Sequence, residues 1–276
     1  MKEKSTAGAV IALLCALLGI VLVYASFLAV YDPIMASEMS AGRAGGEGIV
    51  DGVSVSKYVM PIVNDIGLLG GALWAMAAFG FMRKENWAWS TALLANVLSL
   101  LSFFMLIPAL SRGISPVYTF VFVPNIIAFF LLLAYVRKIE KKMIAISTLA
   151  GMAYVMAFMN GVAATDQLLS GGDTVYLVGQ RLSWVGSLAW ASFVIALLNR
   201  KKYTIQLGLG AALVTLIAGI PLGVVTSLES AKFSMFFMAP ILSLILKITF
   251  VSPKGYQMIA AWVNTQPKLP KPISVE

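Results

Sequence analysis

Residues 7–31 read AGAVIALLCALLGIVLVYASFLAVY, a run of 25 consecutive positions without a charged side chain. A helix that crosses the hydrocarbon core of a bilayer, about 30 Å thick, needs roughly 20 apolar residues. The apolar region of a secretory signal peptide is shorter, about 7–15 residues. We therefore expect this run to be a retained first membrane-spanning helix.

Similar apolar runs recur along the rest of the chain. The predicted spans are 7–31, 58–82, 88–110, 116–136, 143–164, 174–198, 204–228 and 233–251. Hydrophobic residues make up 60% of the chain and charged residues 12%, a composition that excludes a soluble domain. Because each span must satisfy its own backbone amides in lipid, helices are expected and strands are not. The sequence predicts an all-α, polytopic transmembrane helical bundle of about eight spans.

Most basic residues fall in short turns on one side of this predicted bundle. Examples are Arg83-Lys84 and Arg200-Lys201-Lys202. The opposite side carries few basic residues, namely Arg43, Lys57, Arg112 and Lys232. Such an asymmetry marks the cytoplasmic side of a membrane protein. We therefore predict a multi-pass protein of the cell membrane with both termini cytoplasmic. The net charge of +8 is a topology signal, so membrane lipids and not nucleic acid are the expected partners.

A faint internal repeat relates the two halves of the chain. Gly70 and Trp74 correspond to Gly186 and Trp190, each pair 116 positions apart, and Pro124 and Pro240 have the same separation. Two copies of four helices each would have the same orientation, because each copy contains an even number of spans. We predict a 4+4 parallel tandem repeat, with residues 1–142 as the first copy and residues 143–252 as the second.

The segments outside the predicted spans are unequal in the two copies. The first copy has a long external loop, residues 32–57, which contains the glycine-rich stretch AGRAGGEG at residues 41–48. This stretch lacks the lysine and the strand-to-helix context of a phosphate-binding loop, so a flexible loop or lid is expected. Residues 253–265 predict an amphipathic helix at the membrane surface, and residues 266–276 a disordered tail.

Two charged residues lie inside predicted spans at equivalent positions of the two copies. They are Asp65 and Arg181, again 116 positions apart. Charges at membrane depth are costly unless they are paired or functional. We hypothesise an intramembrane Asp65–Arg181 pair, acting as a gate or substrate-binding site in an outward-facing cavity. Two alternatives are a fixed clamp between the copies and separate side chains that reach headgroup water.

Four uncharged amides also lie at or near membrane depth. They are Asn64, Asn96, Asn125 and Gln180. Such side chains could line a polar path for a solute, or they could hydrogen-bond to neighbouring helices and stabilise the bundle.

The chain contains no histidine and a single cysteine, Cys15. Haem ligation through imidazole, zinc-protease motifs and serine–histidine catalysis are therefore excluded, and we predict no enzyme activity, no cofactor and no metal site. Two function classes remain. The first is a small permease, channel or carrier of a lipid, small solute or ion. The second is a non-catalytic membrane subunit, assembly factor or interaction platform with a membrane protein partner.

Overall fold

A computed structural model describes residues 2–43, 55–106, 110, 113, 115 and 120–265, which form helices and contain no β-strand. The α-helices are α1 Lys2–Arg43, α2 Val55–Met82, α3 Trp87–Ser99, α4 Val123–Leu131, α5 Lys141–Leu169, α6 Thr174–Leu198, α7 Thr204–Ser230, α8 Met238–Val251 and α9 Pro253–Asn264. A 3₁₀ segment, Leu100–Met105, continues α3, a π-helical turn, Leu132–Val136, continues α4, and a 3₁₀ turn, Met235–Phe237, precedes α8. The prediction of an all-helical fold is confirmed.

The number of spans is smaller than the sequence predicts. Six described helices are long and apolar enough to cross a membrane, or seven if Met235–Val251 and the helix that follows it form one bent span. The predicted fourth span is described only as the shorter apolar helix Phe120–Val136. Its regular α-helical part begins at Val123, because Pro124 can occupy only the first turn of a helix without losing a hydrogen bond. The described chain is therefore a multi-pass membrane protein with six or seven candidate spans, not eight.

Helix α1 is longer than the sequence suggests. It continues past Pro33 to Arg43, so it occupies the first part of the segment predicted as a loop. Val30 and Ile34 are both fully buried, which extends the packed face of the helix across the proline. Most of the glycine-rich stretch, from residue 44 onward, and the C-terminal segment 266–276 lie outside the described residues.

Neighbouring helices pack along the chain, and the two halves share one core. The tightest neighbours are α1 with α2, α5 with α6, and α6 with α7. The halves meet where α5 packs on α2 and where α3 packs on α6. One buried apolar cluster extends from Ala9 in α1 to Trp262 in α9, and Trp74 and Trp190 are fully buried within it.

Helices α2 and α6 end in the same way. After α2, Lys84 adopts a left-handed conformation with φ of 59°, and the Glu85 amide donates to the carbonyl of Gly80 at 2.8 Å. After α6, Arg200 has φ of 55°, and the Lys201 amide donates to Ala196 at 2.9 Å. This hydrogen-bond pattern closes the last carbonyls of a helix and reverses the chain. Both turns therefore place basic residues at the end of a helix.

Helix α9 runs in a different direction from the helix before it. The two axes make an angle of 80°, and the break is at Ser252-Pro253. The Ser252 hydroxyl accepts a hydrogen bond from the Gly255 amide, and Pro253 stands at the first helical position. Both features are favoured at a helix N-terminus, so the bend is encoded locally.

Candidate functional site

The structure brings together two of the predicted polar residues, Asn96 and Asn125. The Asn96 side-chain amide donates to the backbone carbonyl of Asn125 at 2.6 Å. The Asn125 side chain accepts a hydrogen bond from Trp74 Nε1 at 3.1 Å and donates to the carbonyl of Val121 at 3.3 Å. Both asparagines are 1% exposed. Asn125 therefore fastens α4 to α2 and α3, which is a structural role.

Asn96 and Asn64 each retain one unsatisfied atom. Their side-chain oxygens are buried and accept no hydrogen bond from any described residue. A buried acceptor without a donor costs about 1–3 kcal/mol, so such atoms are uncommon in a packed interior. Gln180, in contrast, is half-buried and donates to Thr165 Oγ1 at 2.7 Å.

Asp65 and Arg181 are placed on the outside of the bundle. Both side chains are exposed, and neither makes a hydrogen bond or ion pair with another described residue. Asp65 is on α2, which packs mainly on α1 and α3, whereas Arg181 is on α6, which packs mainly on α5 and α7. The described structure therefore does not bring these two charges into contact.

A cavity of about 290 Å³ lies where the two halves meet. Its walls come from α3 and its 3₁₀ continuation, the α4 region, α5 and α6. Most of the lining side chains are apolar, and the largest are Phe103, Phe122, Phe129, Phe130, Met152 and Met156. The cavity is open on one side, where Ile126, Phe130 and Met152 are exposed, and its apolar lining matches a hydrocarbon chain better than a hydrated ion.

The few polar groups in the cavity wall are largely engaged elsewhere. Ser147 and Thr148 both donate to the carbonyl of Ile144, at 2.9 and 2.8 Å. Tyr154 donates its hydroxyl to the carbonyl of Val97 at 2.9 Å. Asn96 also lines the cavity and has the unsatisfied side-chain oxygen described above. The wall therefore offers little polarity to a ligand.

Gly151 lines the cavity at a point with open space in front of its backbone. A Cβ atom added there would meet no atom within 4 Å. Gly210, on α7, is equally open but is exposed and does not line this cavity. The two glycines therefore form a matched pair for testing whether the cavity is used.

A second cavity, of about 420 Å³, lies between the first turns of α1 and the end of α2. Ser5, Phe81 and Lys84 are among its lining residues, and the Ser5 hydroxyl donates to the carbonyl of Phe81. This cavity belongs to the first half alone. Of these two cavities, only the one of about 290 Å³ is bounded by both halves.

Two basic turns, those after α4 and after α6, meet the start of α3 at one end of the bundle. The guanidinium of Arg137 lies 4.8 Å from the ring centre of Trp89, and that of Arg200 lies 3.9 Å from the ring centre of Trp262. The Ser90 hydroxyl, next to Trp89, donates to the Asn199 side chain at 3.0 Å and so ties the start of α3 to the turn after α6. We call Arg137, Arg200, Trp89 and Trp262 the arginine–tryptophan cluster.

The two arginines are close enough to influence each other. Partial desolvation of the guanidinium lowers the pKa of Arg137 below its usual value, and repulsion from Arg200 lowers it further. Desolvation also lowers the pKa of Arg200, and the carboxylate of Glu140 opposes that effect. Arginine remains charged at neutral pH despite such shifts, so the cluster holds two neighbouring positive charges.

Sequence reasoning did not identify this cluster as a site. In the sequence, the turn that contains Arg200 is a topology signal only. The arginines are 63 positions apart, and Trp262 is 62 positions beyond Arg200, so their proximity depends on packing between distant helices. The same holds for the cavity, whose walls come from both halves.

Within the described residues, no three His, Cys, Asp or Glu side chains are close enough together to hold a metal ion. Comparison of the chain with models of protein families, with curated proteins and with solved structures gives no match.

Proposed function

We propose that this chain is a multi-pass protein of the cell membrane that takes up a lipid chain in the cavity between its two halves and acts as a small lipid carrier. The observation that carries the proposal is the apolar cavity of about 290 Å³ bounded by α3, α4, α5 and α6. Its volume is close to the lower end of small-molecule pockets, about 300 Å³. A hydrocarbon chain gains from such a wall without needing a polar partner.

The distribution of polar side chains argues against a path for a hydrated solute. Both polar side-chain atoms of Asn125 are hydrogen-bonded, Gln180 is bound to Thr165, and Asp65 and Arg181 are exposed on different helices. Of the residues predicted to form a polar path or gate, only Asn96 lines the cavity. This favours an apolar cargo over a permeating ion.

The proposal includes an internal duplication of a four-helix unit, with the basic turns and both termini on the cytoplasmic side. The matched helix ends at Lys84 and Arg200 support it, since they are 116 positions apart and share one hydrogen-bond pattern. Close contacts support it as well: Gly70 faces the Ser99 hydroxyl, and Gly186 faces the Thr215 hydroxyl, with both pairs related by the same offset. Two such units would enclose a ligand site at their interface.

Photocrosslinking tests whether a lipid chain enters the cavity. The detergent-purified protein is incubated with a phosphatidylcholine that carries a diazirine in the middle of one acyl chain, and crosslinked peptides are mapped by mass spectrometry. We expect crosslinks on the cavity-lining segments of α4 and α5. Gly151→Leu should fill the free space and suppress them, whereas Gly210→Leu should not. Equal labelling of wild type and Gly151→Leu would refute the proposal.

Carrier activity needs a separate readout. Proteoliposomes containing a lipid with a fluorescent headgroup can be treated with a membrane-impermeant quencher, which reports the exchange of lipid between leaflets. We expect exchange with the wild type and with Gly210→Leu, and slower exchange with Gly151→Leu. If the protein binds lipid but does not exchange it between leaflets, it is a lipid-binding subunit and not a carrier.

The alternative function is a membrane subunit that binds another membrane protein. The exposure of Asp65 and Arg181 favours it, because a partner could neutralise charges that no described residue pairs. A stoichiometric partner should then co-purify with the wild type and be lost with Asp65→Asn. The charge swap Asp65→Arg with Arg181→Asp distinguishes this from the hypothesised internal pair, since only an internal pair predicts rescue of the single variants.

A further inference from the structure

The arginine–tryptophan cluster offers hydrogen-bond donors that the described protein does not use. A guanidinium has five N–H groups. The Arg137 guanidinium makes no hydrogen bond with a described residue, and Arg200 donates from Nη1 to the carbonyl of Thr265 at 2.5 Å. Most of the ten N–H groups are therefore free to bind an acceptor with several oxygens.

The cluster is held in place while these donors stay available. Trp262 donates its indole N–H to the carbonyl of Leu197 at 2.9 Å, so its ring is fixed beneath Arg200. Trp262 is 5% exposed, and so is Trp89, the ring beneath Arg137. Stacking on an aromatic ring orients a guanidinium without occupying its in-plane N–H groups. The hydrogen bond from Ser90 to Asn199 holds the two stacked arginines in one region, so two like charges are concentrated there, an arrangement that an anion would stabilise.

The cavity and the cluster share two helices, since α6 ends near Arg200 and α5 begins just after Arg137. On α6, the cavity-lining residue Val194 precedes Arg200 by six positions. On α5, the cavity-lining residue Ser147 lies six positions after Lys141, the first residue of the helix, and the turn before Lys141 carries Arg137. At 1.5 Å per helical residue, both separations correspond to about 9 Å. The polar layer of a bilayer leaflet is of similar thickness, roughly 5–8 Å, so a headgroup at the cluster would place its acyl chain at cavity depth.

The surrounding charge is strongly positive. The turn between α4 and α5 carries one acidic residue, Glu140, against Arg137, Lys138, Lys141 and Lys142. The turn after α6 adds Lys201 and Lys202. Such a field favours a lipid with net negative charge over one whose headgroup also carries a cation.

We propose that the cavity and the arginine–tryptophan cluster together bind one anionic glycerophospholipid, with its phosphate against Arg137 and Arg200 and one acyl chain in the cavity. This inference rests on the proposed function, because it assigns the chain to the same cavity. It adds the headgroup class and the residues that select it. Guanidinium groups suit this task because they bind phosphate oxygens in a bidentate manner.

Native mass spectrometry of the detergent-purified protein tests the selection. Phosphatidylglycerol and phosphatidylcholine with identical chains are added at equal concentrations, and the bound fractions are compared. We expect phosphatidylglycerol to bind about 10- to 30-fold more tightly, as two favourable charge contacts would give. The double variant Arg137→Gln with Arg200→Gln should reduce this preference to about threefold or less, because only the weaker attraction of the neighbouring lysines remains.

A matched control removes two charges elsewhere at the same end of a helix. Arg83→Gln with Lys84→Gln alters the equivalent turn after α2, where Arg83 also lies over an aromatic ring, that of Phe79, at 4.5 Å. Since these residues do not adjoin the cavity between the halves, the headgroup preference should remain. An equal loss in both double variants would overturn the proposal in favour of diffuse attraction by a basic surface.

Two further measurements distinguish a bound lipid from bound phosphate, and bidentate recognition from simple charge attraction. Inorganic phosphate at millimolar concentration should not displace phosphatidylglycerol, because it lacks the chain, and full displacement would overturn the lipid assignment. If the double variant does not fold, Arg137→Lys can replace it. This variant keeps the positive charge but loses the planar guanidinium, so we expect a preference for phosphatidylglycerol between that of the wild type and unity. An unchanged preference in that variant would contradict bidentate recognition.

The outcomes also distinguish this inference from the function on which it rests. If Gly151→Leu abolishes binding of both lipids while the arginine variants have no effect, the cavity function stands and the headgroup assignment fails. If the arginine variants reduce binding while Gly151→Leu does not, the acyl chain lies elsewhere and the proposed function fails.

Discussion

The indole nitrogen of Trp74 donates a hydrogen bond to the side-chain oxygen of Asn125 at 3.1 Å, and both residues are buried. Trp190, 116 positions after Trp74, donates in a similar way to Thr215 Oγ1 at 3.1 Å and to Ser243 Oγ at 3.2 Å. In each half, a tryptophan of the second helix thus holds a helix that begins near a proline. The acceptor residues of the two tryptophans differ, so the two halves are more similar in hydrogen-bond geometry than in sequence.

Removing the Trp74 donor tests the strength of this link. Trp74→Phe keeps an aromatic ring but leaves the Asn125 oxygen buried without a donor, which should destabilise the protein by about 1–3 kcal/mol. We expect a lower unfolding temperature in detergent, measured by tryptophan fluorescence. Asn125→Leu in the same background should recover part of the loss, because the buried acceptor is then removed as well. A lack of recovery would show that the hydrogen bond is not the main contribution of Trp74.

Glycine contacts between helices give a second prediction. A Cβ atom at Gly186 would approach Thr215 Oγ1 to 2.8 Å, and one at Gly70 would clash with the Ser99 hydroxyl. Gly70→Ala and Gly186→Ala should therefore destabilise the bundle by about 1–3 kcal/mol through overpacking. The measurement is the thermal unfolding temperature of each variant in detergent.

The exposed Gly210 provides the control for these substitutions. Gly210→Ala should be neutral or stabilising, because a Cβ there meets no atom and alanine is the better helix former by roughly 1 kcal/mol. Ser99→Ala should rescue Gly70→Ala in part, since it removes the hydroxyl that the new methyl group meets but not the backbone atoms of Ala95 and Ser99 at 3.2 Å. If Gly210→Ala were as harmful as the other two, the effect would be one of glycine in general and not of close helix contact.

Much of the helical layout follows from the sequence because it depends on local features. The predicted bounds 174–198 coincide with α6, and α2 ends at Met82 as predicted, because charged turns interrupt apolar runs there. The extension of α1 beyond Asp32 was not predicted, since a proline and a carboxylate usually end an apolar span. It depends on burial of Val30 and Ile34 by neighbouring helices.

The candidate site was predictable only in part. Asn96 and Asn125 were predicted as amides at or near membrane depth, because asparagine within an apolar run is easily recognised, and the structure buries both. Whether their hydrogen bonds are met within the bundle or offered to a solute depends on the positions of Trp74 and the carbonyl of Val121. No local pattern reports that arrangement, and the apolar cavity leaves no signature in a chain that is apolar throughout.

The left-handed turn residue Lys84 gives a prediction about stability without a change in contacts. A residue with a side chain costs roughly 1–2 kcal/mol in the left-handed region, a cost that glycine avoids. Lys84→Gly should therefore raise the unfolding temperature, while Lys202→Gly should not, because Lys202 does not adopt a positive φ. Equal effects of the two variants would indicate that loss of charge, and not backbone conformation, determines the result.

The docking of α9 on the bundle gives the last prediction. Trp262 is 5% exposed and is held by the carbonyl of Leu197 and the guanidinium of Arg200, whereas Tyr256, on the same helix, is 52% exposed. Trp262→Ala removes the buried ring and both of these contacts, so α9 should detach more often from the bundle. Amide hydrogen exchange of residues 253–264, measured by mass spectrometry, should then become faster by at least tenfold if about 1.4 kcal/mol of docking free energy is lost. Tyr256→Ala should leave the exchange nearly unchanged, because its ring contributes little buried surface. Slow exchange in Trp262→Ala would mean that α9 is held by other contacts, such as those of the fully buried Ile259.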